Sequence, residues 1–138
     1  MQTDTLRKPC SATAAALLRL LAASAALSAC SQPPAFAEPS REARAAAAKV
    51  FATRCAECHG PLGKGDGPKA ASLKPRPRNF ADPVWQLAIS DRHLEKVILE
   101  GGAAVGKSSE MPAHPDLANN PEIMTALRQH LRVLAYAP

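Results

Sequence analysis

Cys55-Ala56-Glu57-Cys58-His59 places two thiols and an imidazole within five consecutive residues. Side chains of these types at this spacing can bind zinc, cycle as a redox dithiol, close a structural disulfide or attach a c-type haem. A structural zinc site needs four ligands at favourable spacing, and the other histidines, His93, His114 and His130, form no His-x3–5-His pair. A thioredoxin-like pair needs a βαβ setting, which this strand-poor chain lacks. A bare disulfide leaves the adjacent histidine without a role. Haem attachment uses all three side chains, because thiols about one helical turn apart can add to the two vinyl groups on one edge of a porphyrin. His59 then falls under the iron, where its imidazole can be the proximal ligand.

A sixth ligand must come from elsewhere in the chain. Beyond the first thirty residues the methionines are Met111 and Met124. Met124 continues a helical pattern beside Ile123, where core filling is the default role. Met111 lies in a loop, and Pro112 restricts it to extended backbone, which helps hold a soft thioether at iron. His114, three residues further along the same loop, offers an imidazole instead. His93, beside Arg92, reads as an exposed helix residue. The choice matters because methionine paired with histidine raises the reduction potential.

The elements that must position these groups are helical or irregular throughout. Ser40 caps a helix predicted from Arg41 to about Cys58, with Glu42 in its first turn and a run of good helix formers from Ala45 to Ala48. Ala47, Phe51 and Cys55 recur every four residues, so one face carries the first cysteine to whatever Phe51 packs against. Gly60 to Asn79 reads as loop with a single turn at Lys69 to Leu73. Asp82-Pro83 starts a short helix through Trp85 and Leu87. Ser90 and Asp91 open another to about Glu100, with Leu94, Val97 and Ile98 as its buried stripe and Gly101-Gly102 as its end. A second loop, Ala103 to Ala118, contains Met111. Asn120-Pro121-Glu122 then starts the last helix, with Ile123, Leu127, Leu131 and Leu134 on one face. The expected fold is therefore all-α, four to five short helices whose long loops wrap one covalently bound haem.

The 138 residues leave room for one domain of ordinary size. Its aromatic residues are few, and a large flat cofactor would supply apolar bulk that so small a domain lacks. From Cys30 onward there are 14 basic and 11 acidic residues, a net of about +3. That mild charge, without aromatics interleaved among the basic residues, excludes a nucleic-acid binder.

The front of the chain reads as an export signal over residues 1–29. Arg7, Lys8 and Arg19 form its basic region and Leu20 to Ala29 its apolar region, too short to span a bilayer. Leu27-Ser28-Ala29-Cys30 resembles a bacterial lipobox, which would place a lipid on Cys30 and tie the domain, 41–138, to the membrane through a proline-rich tether, 30–40. Two or three acyl chains anchor stably, at about 0.8 kcal/mol per buried methylene. Cleavage after Ala35-Phe36-Ala37 is the alternative and would release a soluble periplasmic protein. Cys10 leaves with the signal in either case.

Residues 55–68, Cys-Ala-Glu-Cys-His-Gly-Pro-Leu-Gly-Lys-Gly-Asp-Gly-Pro, together with Ser109-Glu110-Met111-Pro112, resemble the bacterial monohaem class I cytochromes c over about residues 41 to 136. The resemblance implies one haem c on Cys55 and Cys58, His59 and Met111 as axial ligands, first and last helices that cross, and one-electron transfer without a small-molecule substrate. It also implies that the Pro68 carbonyl accepts the Nδ1 hydrogen of His59, and that Trp85, Arg78 or Asn79 reaches a haem propionate. Two positions depart from the family pattern. Ala47 stands where glycine is frequent at the helix crossing, and His130 where an aromatic ring is frequent, so looser packing or a titratable contact is expected there and His130→Tyr should stabilise.

Lys64, Lys69, Lys74, Arg76 and Arg78 crowd the loop after the motif. They read either as a solvated loop or as a positive rim that steers acidic redox donors and acceptors. Two further functions stay open at this stage. One is a haem subunit of a larger dehydrogenase, reductase or oxidase. The other is a ligand sensor or peroxidase, which requires a displaceable sixth ligand.

Overall fold

The computed structural model describes residues 38–136. The segment expected to be an export signal, with Cys10, the expected lipidation site Cys30 and most of the expected tether lie outside the described residues. Within them the chain forms α1 (Arg41–Val50), α2 (Ala56–His59), α3 (Pro83–Ala88), α4 (Asp91–Glu100) and α5 (Pro121–Val133), with short 3-10 turns between and after them. No strand occurs among the described residues. The all-α expectation holds.

α1 starts where its cap predicts. Ser40 Oγ accepts the Ala43 amide at 3.1 Å, satisfying one of the amides that a helix start leaves unpaired. Glu122 accepts the Ser40 amide at 2.8 Å and so ties the start of α1 to the first turn of α5. Asn120 makes no side-chain cap; Pro121 at the first helical position begins α5 alone. The two helices form the principal helix contact of the domain. Ala47, with no exposed surface, and Phe51, Ala126 and Leu127 are buried in the shared core. A methyl group at position 47 is thus accommodated where the family favours glycine.

The run from Arg41 to His59 is not one uniform helix. Between α1 and α2, Phe51–Cys55 forms a π turn, in which the Ala56 amide donates to the Phe51 carbonyl five residues back. Thr53 Oγ1 donates to the Lys49 carbonyl at 2.8 Å within the same turn. One residue is thereby inserted into the helical register. Ala47 and Phe51 lie in the core shared with α5, Cys55 packs against that same core, and Cys55, Cys58 and His59 line the adjoining cavity, whose wall includes Leu127 and Leu131 of α5.

The loop after α2 folds back along it. Amides of Gly65, Gly67 and Lys69 donate to the carbonyls of His59, Cys58 and Glu57 at 2.8, 3.1 and 3.0 Å, three acceptors that the helix end would otherwise leave unpaired. The approach is so close that a Cβ at Gly67 would lie 2.4 to 2.7 Å from backbone atoms of residues 56–58. The turn expected near Lys69 to Leu73 is a 3-10 turn at Ala70–Ser72.

α3 begins at Asp82, whose carboxylate accepts the Val84 and Trp85 amides at 3.0 and 3.2 Å and also pairs with Arg78. It is fixed to α5 by Gln86, which donates to the carbonyls of Phe80 and Leu131, both at 2.8 Å. Arg132 completes the joint through the Gln86 and Ile89 carbonyls, each at 2.7 Å, and the Asp91 carboxylate. α4 starts at Ser90, which accepts the His93 amide, and ends at Gly101.

His130 packs its ring on Phe51 at the α1–α5 contact, with centroids 4.8 Å apart. Its Nε2 is buried without a hydrogen-bond partner, a desolvation cost with no return. Replacing it by a ring with no buried donor, His130→Phe, is expected to raise stability by about 1 kcal/mol, or roughly 4–8 °C in melting temperature. His130→Tyr should gain less, because its hydroxyl must also find a partner.

Burial also lowers the His130 pKa below its usual value, and burial lowers that of His114, aided by Arg54. The unfolded chain therefore takes up protons first as pH falls through about 6.5, and stability falls with it. Above that value neither group contributes a slope. Melting temperatures measured from pH 7.5 down to pH 5 should decline, and decline less in His130→Phe. A pH-independent wild-type curve would contradict this reading of both histidines.

Candidate haem site

One cavity of about 550 Å³ opens between α2, α3, α4 and the loop that carries Met111. Its size suits a cofactor, and its walls are mostly apolar. Cys55, Cys58 and His59 line it, as do Arg78, Trp85, Met111 and His114. The chain thus brings residues that are more than fifty positions apart to one site.

Both cysteines are half-buried free thiols. Burial pushes the Cys55 thiol up to about 11, against the opposing charge of Arg54. A protonated thiol is the reverse of what a redox-cycling or zinc-binding cysteine needs.

His59 is buried, and burial lowers its pKa against the opposing pull of a backbone hydrogen bond. That bond joins Nδ1 to the Arg78 carbonyl at 3.0 Å. A carbonyl only accepts, so the proton sits on Nδ1, and Nε2 keeps its lone pair for a metal. Phe80 stacks on the ring, centroids 4.4 Å apart, and fixes its plane. A ligand-ready tautomer is in place.

This bond corrects the expectation that Pro68 is the partner of His59. Pro68 is exposed and does not line the cavity. Gly67 and Lys69, on either side of it, are bonded to the backbone of α2, which holds Pro68 on the carbonyl side of the helix. The segment running from Pro75 to Phe80 passes His59 instead and supplies the acceptor. Arg78 contributes to the site through that backbone carbonyl, while its guanidinium lies over the Trp85 ring, 5.1 Å from the centroid. Asn79 does not line the cavity, and its side chain accepts the Ala81 amide at 2.8 Å.

Met111 is delivered by the end of α4. Its carbonyl accepts the Gly102 amide at 3.0 Å, and three residues later the His114 amide donates to the Ile98 carbonyl at 2.9 Å. A Cβ on Gly102 would lie 2.2 Å from the Ser108 carbonyl oxygen and 3.2 Å from the Met111 Cβ. Only glycine permits that approach. Met124, in contrast, is buried in the α1–α5 core, as core filling requires.

His93 was expected on an exposed face, and it is half-buried in the cavity wall. It stands one helical turn before Val97, which lines the same wall. Arg54, just before Cys55, bridges to Asp116 at 2.7 Å and links the attachment motif to the 3-10 turn after His114.

The basic rim is less uniform than the sequence suggests. Lys69 pairs with Glu57 at 2.9 Å and Arg78 with Asp82. Lys74 and Arg76 have no ion-pair partner among the described residues. Lys64 has a partner of its own.

Two thiols on one edge, an imidazole with a bare Nε2 and an apolar cleft fit a covalently bound porphyrin. No cluster of three His, Cys, Asp or Glu side chains able to hold a metal ion occurs among the described residues. A haem iron needs no such cluster, since the porphyrin supplies four of its ligands. No curated protein matches the chain. The family model described as Cytochrome c matches residues 44–134, from the first turns of α1 to the end of α5. With that match over well over half of its length, the chain belongs to the cytochrome c family, haem-based electron carriers that bind haem c covalently and work with redox protein partners.

Proposed function

We propose that this protein is a one-electron carrier of the bacterial cell envelope, with His59 and Met111 as the axial ligands of a single haem c. The observation that carries the reading is the convergence of Cys55, Cys58, His59 and Met111 on one apolar cavity. Bound there, the haem supplies an Fe(II)/Fe(III) couple. The chain's own part is to hold it through Cys55 and Cys58, to orient the His59 ring through Arg78 and Phe80, and to exclude water with Leu94, Ile98 and Leu127. A thioether on the far side would favour the reduced state and close the site to small ligands.

The export signal and the Leu27-Ser28-Ala29-Cys30 sequence support secretion and a lipid anchor on Cys30. Among the described residues no helix is long and apolar enough to cross a membrane. An anchored carrier could pass electrons freely between partners or serve as the relay of a larger complex.

Voltammetry of the matured protein tests the proposal. A reversible one-electron wave, with a ferrous form that ignores carbon monoxide, is expected. Rapid carbon monoxide binding would point to a sensor or peroxidase with an open sixth site.

A further inference from the structure

The cavity is built from two parts of the chain that are held in different ways. Cys55 and the helix α2 supply the attachment motif, and the segment between α4 and α5 supplies Met111 and His114. Backbone hydrogen bonds fix that segment to α4, from the Gly102 amide to the Met111 carbonyl at 3.0 Å and from the His114 amide to the Ile98 carbonyl at 2.9 Å. Neither bond reaches the wall that carries the motif.

Packing holds the segment weakly. Gly102 is buried at its start and Leu117 near its end, and no residue of 103–116 is buried between them. Leu117 belongs to the core, whereas Met111 stands six positions before it on a stretch without such an anchor. A stretch with few buried contacts opens locally at a lower cost than the core does.

Arg54 joins the two walls. It immediately precedes Cys55, within the π turn Phe51–Cys55, and its Nη1 lies 2.7 Å from Oδ2 of Asp116, 62 positions along the chain. Asp116 sits in the 3-10 turn Pro115–Asn119, directly after His114. Arg54 also lines the cavity together with His114 and Leu117. Its hydrogen bond holds the Asp116 carboxyl below the usual carboxylate range, so the pair is charged at neutral pH. Both side chains are exposed, and an exposed pair adds little to global stability. Its position gives it a local effect instead, on the mobility of the segment that carries the distal ligand.

We propose that Arg54 and Asp116 form a latch that holds the Met111 segment against the attachment motif and slows the exchange of Met111 for small ligands. Arg54 is a positioning residue, acting through the segment and not on the iron. The inference rests on Met111 as the distal ligand.

Stopped-flow mixing of the ferric holoprotein with imidazole tests it. The exchange breaks the bond from Met111 Sδ to Fe(III) and forms one from an imidazole nitrogen; the iron stays ferric and no electron moves. At high imidazole the wild-type rate should reach a plateau, the rate at which Met111 lets go. Arg54→Gln and Asp116→Asn should each raise that plateau about two- to fivefold, the range expected of an exposed ion pair. The double variant should be no faster than either single one, because both remove the same interaction. Arg54→Lys, which keeps a cation in place, should restore most of the wild-type rate. Added salt should speed the exchange in the wild type and have no such effect in the double variant. The resting low-spin spectrum and the melting temperature should stay those of the wild type throughout. Unchanged plateaus in both single variants, additive effects in the double variant, or rates that rise in step with a falling melting temperature would each overturn the latch. A wild type whose rate climbs with imidazole and never levels off has an open sixth site, which would sink the Met111 reading instead.

Discussion

Met111→Ala is expected to convert a closed, low-spin haem into one that binds carbon monoxide rapidly in the ferrous state. Its potential should fall by on the order of 0.1 V, a fraction of the roughly 0.8 V over which axial ligands tune haem. The physical cause is the loss of a soft, neutral thioether, which favours Fe(II) over Fe(III). The companion variant is His114→Ala, since both side chains line the cavity from one loop. It should leave spectrum, potential and carbon monoxide response unaltered. If His114→Ala opens the site and Met111→Ala does not, the distal ligand is the imidazole.

The second large effect is expected from single methyl groups added to backbone crossings. Gly102 has φ −65°, which any residue adopts, so alanine there is unstrained in itself. Its cost is steric: the new Cβ would meet the Ser108 carbonyl oxygen at 2.2 Å, and neither partner is a flexible side-chain end. The loop that carries Met111 must move. Gly102→Ala should destabilise by about 2–3 kcal/mol, as overpacking does, and weaken methionine ligation, visible as partial carbon monoxide binding. Gly67→Ala adds a methyl group against the backbone of α2. It should lower the yield of haem-loaded protein, because that loop supplies the donors for the last carbonyls of the attachment helix. Gly106→Ala is the control, with nothing within 4 Å of the added carbon. It should cost only the left-handed backbone penalty, about 1–2 kcal/mol, and leave the ligand intact.

Helix starts were legible wherever a cap and a proline or an acid coincided. Ser40, Asp82-Pro83 and Ser90 each cap through the side chain that local chemistry predicts. The π turn between Phe51 and Cys55 was not legible, because a four-residue recurrence of apolar residues cannot show that the register shifts by one residue between them.

Within the site, the attachment motif was readable because its chemistry is carried by side chains at fixed spacing. The acceptor for His59 is a backbone carbonyl, and carbonyls carry no sequence signature. The family pattern pointed to Pro68, and the structure places Arg78 there. His93 had a signal that could have been used: it precedes Leu94, Val97 and Ile98 at the spacing of a single stripe, and the charge on Arg92 beside it says nothing about that face. Arg132, which joins α3, α4 and α5, had none. Its role follows from where three chain segments happen to end.

The most direct measurement is acid–acetone extraction of the protein matured in a host that attaches haem c, followed by the alkaline pyridine spectrum of the polypeptide. Haem that stays with the wild-type chain, shows the spectrum of two thioether bonds and is lost when Cys55 and Cys58 are both replaced by serine is the predicted result. Haem that passes into the solvent, or that remains on the Cys55→Ser/Cys58→Ser double variant, would contradict the account.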